Sequence, residues 1–372
     1  MAKHKIPLWR KWLYCLLPAG IAVALYLVLP HVPDFTEQVF SRGIFRVISR
    51  PLTWLVSVLP FSLTEMAVIL GIPAVLAAVG IWIYRLIRRE NRRQIAERGV
   101  RLVAAVLSCG LLLFMLMDGV NFSRPAVGEL MHLKNGEYDV AFLAAVTADL
   151  AQKTSAARKA VEEDENGCMR LRETPRTTLL LVDDCYRNLQ AQYPFLQTGT
   201  WRVKSVALSH LWSYTGYTGV YCPWLGEASI NTDIPHSEWG HTAAHELAHT
   251  MGFAREDACN FLAFLACTTS ELPDFVYSGY LSAYIYCSNA LYTYDKAAYR
   301  EAAALCSDAV RRDLRQRNAY WQPFFGKVMD TSQDFNDAFI KANGVESGIA
   351  SYDEVVTLIL RYYDTRECLH LQ

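Results

Sequence analysis

The chain has 372 residues, 52% of them hydrophobic and 20% charged, and its formal net charge is −1. That near-neutral total hides two unlike halves: residues 1–118 carry 14 Lys and Arg against 6 Asp and Glu, whereas residues 119–372 carry 22 against 31. A uniform soluble globule is thereby excluded, and a basic apolar membrane module joined to an acidic soluble domain is expected, with the boundary near residue 118.

Three stretches are apolar and long enough to cross a bilayer, which takes about 20 residues. They lie at about 13–29, 66–87 and 102–117. The first is not read as a cleaved signal peptide, because two further spans follow and no small-residue cleavage site ends it. Between the first two spans, the segment 35–59 is apolar but carries Arg42, Arg46 and Arg50 at helical steps. It is expected to lie in the membrane interface or to fold back on the spans. The N-terminus carries Lys3, Lys5, Arg10 and Lys11, and the loop after the second span carries seven arginines between Arg85 and Arg101. Positive charge in short loops marks the cytoplasmic side, so residues 119–372 are expected outside the cell membrane. Set between two spans, the arginine run is read as a topology signal and a contact for anionic lipid, not as a nucleic-acid site.

The rear half reads as mainly α with a small β-sheet, an α+β domain. A helix is expected over 138–161, a short buried strand over Thr178–Val182, a helix over 185–192 and a strand over 203–208. After a turn-rich stretch, the alternation of Ala228–Ile234 predicts an exposed strand, and the remainder is helical. Residues 275–292 hold five tyrosines with serines and an asparagine, so they are read as a buried helix of the domain and not a fourth span. The ten cysteines contain no C-x-x-C, which excludes a zinc ribbon and a thioredoxin-like redox pair. Buried free thiols are favoured over disulfides such as Cys168–Cys185.

The motif that carries chemistry is His245-Glu246-Leu-Ala-His249. Residues four apart share one face of a helix, so both imidazoles can meet one Zn2+ ion. Glu246 stands beside the first ligand and can take a proton from a water activated there, acting as general base. Gly252 ends the helix, and a second helix starts at once with Glu256, the expected third ligand; Asp257 is the alternative. Asn260, four residues on, shares the Glu256 face and can hold a ligand imidazole in place. His241 lies a turn before His245 and is expected at the helix start or rim, not on the metal.

His245-Glu-x-x-His249 followed by Glu256-x-x-x-Asn260 resembles the gluzincin metallopeptidases. The whole chain is also similar to a bacterial family of three-span membrane proteins carrying a domain of unknown function. The matching stretches are Gly119–Pro125, Leu211–Gly216, Gly226–Pro235, the metal motif through Gly252–Asp257, and Gly348–Tyr352. The gluzincin likeness implies that the strand Ala228–Ile234 pairs with an extended peptide, with Asn231 adding a side-chain contact. It also implies a tyrosine that stabilises the reaction's oxyanion; Tyr352 is the first candidate, with Tyr214 and Tyr217 behind it.

Two functions fit these residues. One is a membrane-anchored zinc metallopeptidase acting on peptides or proteins at the cell surface. The other is a non-catalytic zinc-binding sensor or scaffold. An intramembrane protease is disfavoured, because Asp233–His241 ahead of the motif is too polar for a span.

Overall fold

The computed structural model describes residues 7–88, 91–197, 202–345 and 354–366. The chain is mostly helical, with a three-stranded sheet and a separate two-stranded pair. Three helices are long and apolar enough to cross a membrane: Leu8–Val28, Leu63–Arg88 and Arg92–Met117. They start earlier than the apolar runs alone, because polar and basic residues continue each helix past its apolar stretch. The first and third pack against each other along their length.

The segment after the first span is helical, beginning at Pro33, wound as a π-helix over Thr36–Ile44 and ending as an α-helix over Phe45–Ser57. It folds back on the rear domain. Arg46 donates to the Phe195 carbonyl at 2.9 Å, and Arg50 donates to Gln197 Oε1 at 3.1 Å. Phe45 is fully buried, while Val47, Trp54, Leu55 and Val58 remain exposed.

The three-stranded sheet is formed by β3 (Lys204–Val206), β4 (Gly219–Cys222) and β5 (Glu227–Asn231), in the order β3-β5-β4; β1 (Glu162–Glu163) and β2 (Met169–Arg170) form the separate pair. β3 runs parallel to β5, with Lys204 opposite Ser229, and β4 runs antiparallel to it, with Gly219 opposite Ile230. Every residue of β5 is buried, so the exposed strand expected there is corrected to a central one. Ser62, just before the second span, is hydrogen-bonded to Ser229 Oγ at 3.2 Å, which brings the spans against the sheet.

The strand expected at Thr178–Val182 is part of one helix, Pro175–Gln192. Thr174 caps it through its hydroxyl, which accepts from the Thr177 amide, and Pro175 fits the first turn. The buried residues Thr178, Leu179, Val182, Cys185, Tyr186 and Leu189 follow helical spacing. The expected helix at 138–161 is Val140–Ala157, and that at 275–292 is Pro273–Tyr294, which is largely buried in the domain core. Cys168 and Cys185 are both free, as are the other described cysteines.

Candidate metal centre

The HExxH helix, His236–Thr250, is buried along almost its whole length. The helices Glu256–Thr268, Pro273–Tyr294 and Pro175–Gln192 and the sheet surround it. Tyr186 donates its hydroxyl hydrogen to the Ala244 carbonyl at 2.8 Å, and Ser278 Oγ accepts from the His241 amide at 2.9 Å. The helix ends at Gly252, whose φ of +82° is the left-handed geometry that closes a helix without a Cβ penalty. The Phe253 amide then returns to the Ala248 carbonyl at 3.3 Å. That reversal points the first turn of Glu256–Thr268 back at the histidines.

Both imidazoles are fixed through Nδ1. His249 donates from Nδ1 to the Phe253 carbonyl at 2.8 Å, and His245 donates to Asn260 Oδ1 at 2.7 Å. A carbonyl oxygen only accepts, so each ring carries a proton on Nδ1 and turns Nε2 inward. The two Nε2 atoms lie 3.2 Å apart; Glu256 Oε2 is 3.1 Å from the first and Oε1 is 3.8 Å from the second. A tetrahedral zinc ion with ligands at about 2.0–2.1 Å holds its ligand atoms about 3.3 Å apart. The three side chains therefore fit such an ion, and they are the group of potential metal ligands found among the described residues. Burial lowers the His245 imidazole, but the hydrogen bond and charge of Glu256 outweigh it and raise the group to about 9.

The other expected residues fall as follows. Glu246 is buried beside the ligands and lines the same cleft; burial pushes its carboxyl up to about 8, against the pull of His245. Asp257 is turned away, paired with Arg255 at 3.0 Å. His241 is buried, not at a rim, and its Nε2 faces the Asn260 backbone carbonyl at 3.2 Å. Asn231 is fully buried, its Nδ2 donating to Ser213 Oγ at 2.8 Å and its Oδ1 accepting from the Asp233 amide. It braces the turn after β5 and does not reach the cleft, which corrects its expected contact with substrate. Tyr217 lines the cleft, with its hydroxyl donating to the Ser332 carbonyl at 3.2 Å, whereas Tyr214 packs against Phe324. Tyr352 lies outside the described residues.

Residues 40–360 match the model of a family described as a protein of unknown function, DUF3810. The chain belongs to this family. No curated protein and no solved structure matches it. In this member His245, His249 and Glu256 line a cleft of about 760 Å³.

Four contributors to that cleft come from segments that no local motif marks. Gly219 of β4 abuts Glu246 so closely that a Cβ there would lie 2.6 Å from Glu246 Cγ. Tyr221 stacks on His249 with ring centroids 5.7 Å apart, and Asp118, the residue after the third span, lines the wall. Tyr286 donates its hydroxyl to Asn260 Oδ1 at 3.1 Å, so that oxygen holds His245 while itself being held. Alternating spacing in β4 is the one sequence signal that places Gly219 and Tyr221 on a common face.

Proposed function

We propose that the chain is a membrane-anchored, zinc-dependent peptidase of gluzincin type, with His245, His249 and Glu256 as ligands and Glu246 as general base. The observation that carries this reading is the convergence of two Nε2 atoms and one carboxylate, 3.1–3.8 Å apart, beside an independent buried carboxylate in an open cleft. A bound zinc ion would supply Lewis acidity and bring the pKa of water near 7. The chain's own residues do the rest. Asn260 and the Phe253 carbonyl orient the imidazoles, and Glu246 accepts a proton and returns it to the departing amine.

The peptide-pairing role that the gluzincin likeness gave to β5 falls to β4. β5 has a neighbour on each side, whereas β4 is an edge of the sheet and its residues Gly219, Val220 and Tyr221 line the cleft. An extended substrate can add to that edge through backbone hydrogen bonds. The positive-inside distribution supports a location of the domain and its cleft outside the cell membrane.

The test is Glu246→Gln in the purified full chain. Zinc content by mass spectrometry is expected to stay at one ion per chain, and hydrolysis of a peptide library to fall by about 10²-fold or more. Full hydrolysis in the variant rules out the mechanism; zinc binding with no hydrolysis by the unaltered chain favours a sensor or scaffold.

A further inference from the structure

We infer that this cleft takes polypeptides that are themselves anchored in the membrane, and cuts them within a few residues of the bilayer surface. The inference rests on the peptidase reading and adds the class of substrate to it. Its basis is that one wall of the cleft belongs to the third span. Phe114, in the last turn of that span, and Asp118, just after it, line the same space as His245, His249 and Glu256. One side chain separates ligand from span: Tyr221 stacks on His249, and its hydroxyl donates to the Met117 carbonyl at 3.3 Å. The site therefore stands roughly 10 Å from the outer end of a membrane helix. At about 3.3 Å per extended residue, a chain leaving the bilayer there reaches it in about three residues.

The rim of the cleft is aromatic on the membrane side. Trp224 leans down the third span, and its Nε1–H donates to the Gly110 carbonyl at 2.9 Å. Gly110 precedes Met117 by about two helical turns, so the indole sits about 10 Å below the end of the helix. The rings of Trp224 and Phe114 are 6.0 Å apart, those of Phe114 and Phe339 5.9 Å, and those of Phe339 and Phe122 6.4 Å.

Beside the span, the helix Lys327–Ala342 also lines the cleft and carries Phe339 and Phe335. Tyr26, near the outer end of the first span, donates its hydroxyl to the Ala342 carbonyl at 3.1 Å and holds this helix at the level of the span ends. Phe335 is 73% exposed and Phe325, just before the helix, 68%. Single exposed apolar side chains are ordinary, but an aromatic rim continuous with the first and third spans matches the belt that membrane proteins place at the lipid–water boundary. A soluble polypeptide must come to this rim from bulk water. An anchored one is already confined beside it, which raises its effective concentration without any new contact.

The experiment uses the full chain in lipid nanodiscs with two substrate sets carrying the same randomised segments. One set is free in solution; the other is joined to a single transmembrane helix through spacers of about 2 to 20 residues. Cleavage sites are mapped by mass spectrometry, with Glu246→Gln as control. The expected result is cleavage within about six residues of the anchor for every spacer, at about tenfold or more the rate of the free set. Phe335→Asp is expected to slow cleavage of the anchored set about threefold more than that of the free set. Sites scattered along the long spacers, or a free set cut as fast as the anchored one, would overturn the inference and leave the peptidase reading standing. No Glu246-dependent cleavage in either set overturns the peptidase reading, and this inference with it.

Discussion

At the scale of single residues, the candidate metal site is a set of orientations imposed from outside it. His245 and His249 are aimed by acceptors on their far nitrogens, so under the proposed function the Asn260 side chain would act on a bound metal without touching it. Asn260→Ala is expected to leave the fold intact and weaken zinc affinity about 10–100-fold, as measured by competition with a fluorescent chelator. Gly219 acts on the base. A methyl group there would strike Glu246 at its Cγ, so Gly219→Ala is expected to lower kcat about tenfold or more, with zinc content unchanged and wild-type KM. If kcat were unchanged, the close approach of β4 to Glu246 would have no catalytic meaning. The convergence of His245, His249 and Glu256 was legible in the sequence because all three fall within twelve consecutive residues, where helical spacing and a tight glycine turn fix who faces whom. Gly219, Tyr221 and Asp118 were not legible, since they meet the centre only through the tertiary arrangement. Asn231 was misread for the same reason: alternation marks which residues share a face, but not whether that face meets substrate or the protein's own interior.

At the scale of elements, the membrane helices and the sheet are fastened by buried charge. Glu227 of β5 accepts from the amides of Leu63 and Thr64 at 2.9 and 2.8 Å, from Ser62 Oγ at 2.7 Å, and from Lys204 Nζ at 2.7 Å. A carboxylate at the first turn of the second span satisfies amides that no residue within that helix can reach, and it faces the positive end of the helix dipole. Burial pushes the Glu227 carboxyl up, but the Lys204 ammonium and these donors together hold it below its ordinary value of 4.5. A group held low in the fold stabilises it fully above the unfolded value, and that contribution is lost as pH falls through the lower native value. Thermal stability in detergent is thus expected to drop below about pH 4.5, and the drop should shrink in Glu227→Gln. That variant leaves Lys204 buried without a counter-charge and is expected to cost about 3–5 kcal/mol at neutral pH, seen as a lowered melting temperature. A second fastening joins Arg124 to Glu37 at 2.7 Å and to the Gly252 carbonyl, tying the end of the HExxH helix to the segment after the first span. Most helices were legible from their periodicity. Thr178–Val182 was not, because a run of threonine, leucine and valine suits either state, and the decision lay in the Thr174-Pro175 start and in the buried positions beyond it.

At the scale of the whole molecule, the first span ends, the second begins and the third ends on the side that carries the domain. The contacts of Tyr26, Leu63 and Gly110 with rear-half residues establish this. The arginine-rich turn around residue 92 therefore lies on the other side, as does the start of the first helix. With positive charge marking the cytoplasm, an epitope inserted beside the exposed Tyr294 is expected to be reached by antibody in intact cells, and one at the N-terminus only after permeabilisation. The reverse pattern would place the cleft in the cytoplasm. Composition alone set a basic apolar front against an acidic rear. It did not disclose that residues of both line one cleft, because that depends on a β-hairpin and a late helix returning to the span ends. The Glu227 contact also has a meaning in time. Glu227 is synthesised after all three spans, so the second span enters the bilayer with its outer end open. That end closes only when the sheet forms, so the candidate membrane-spanning part of the fold is completed by a residue made well after it.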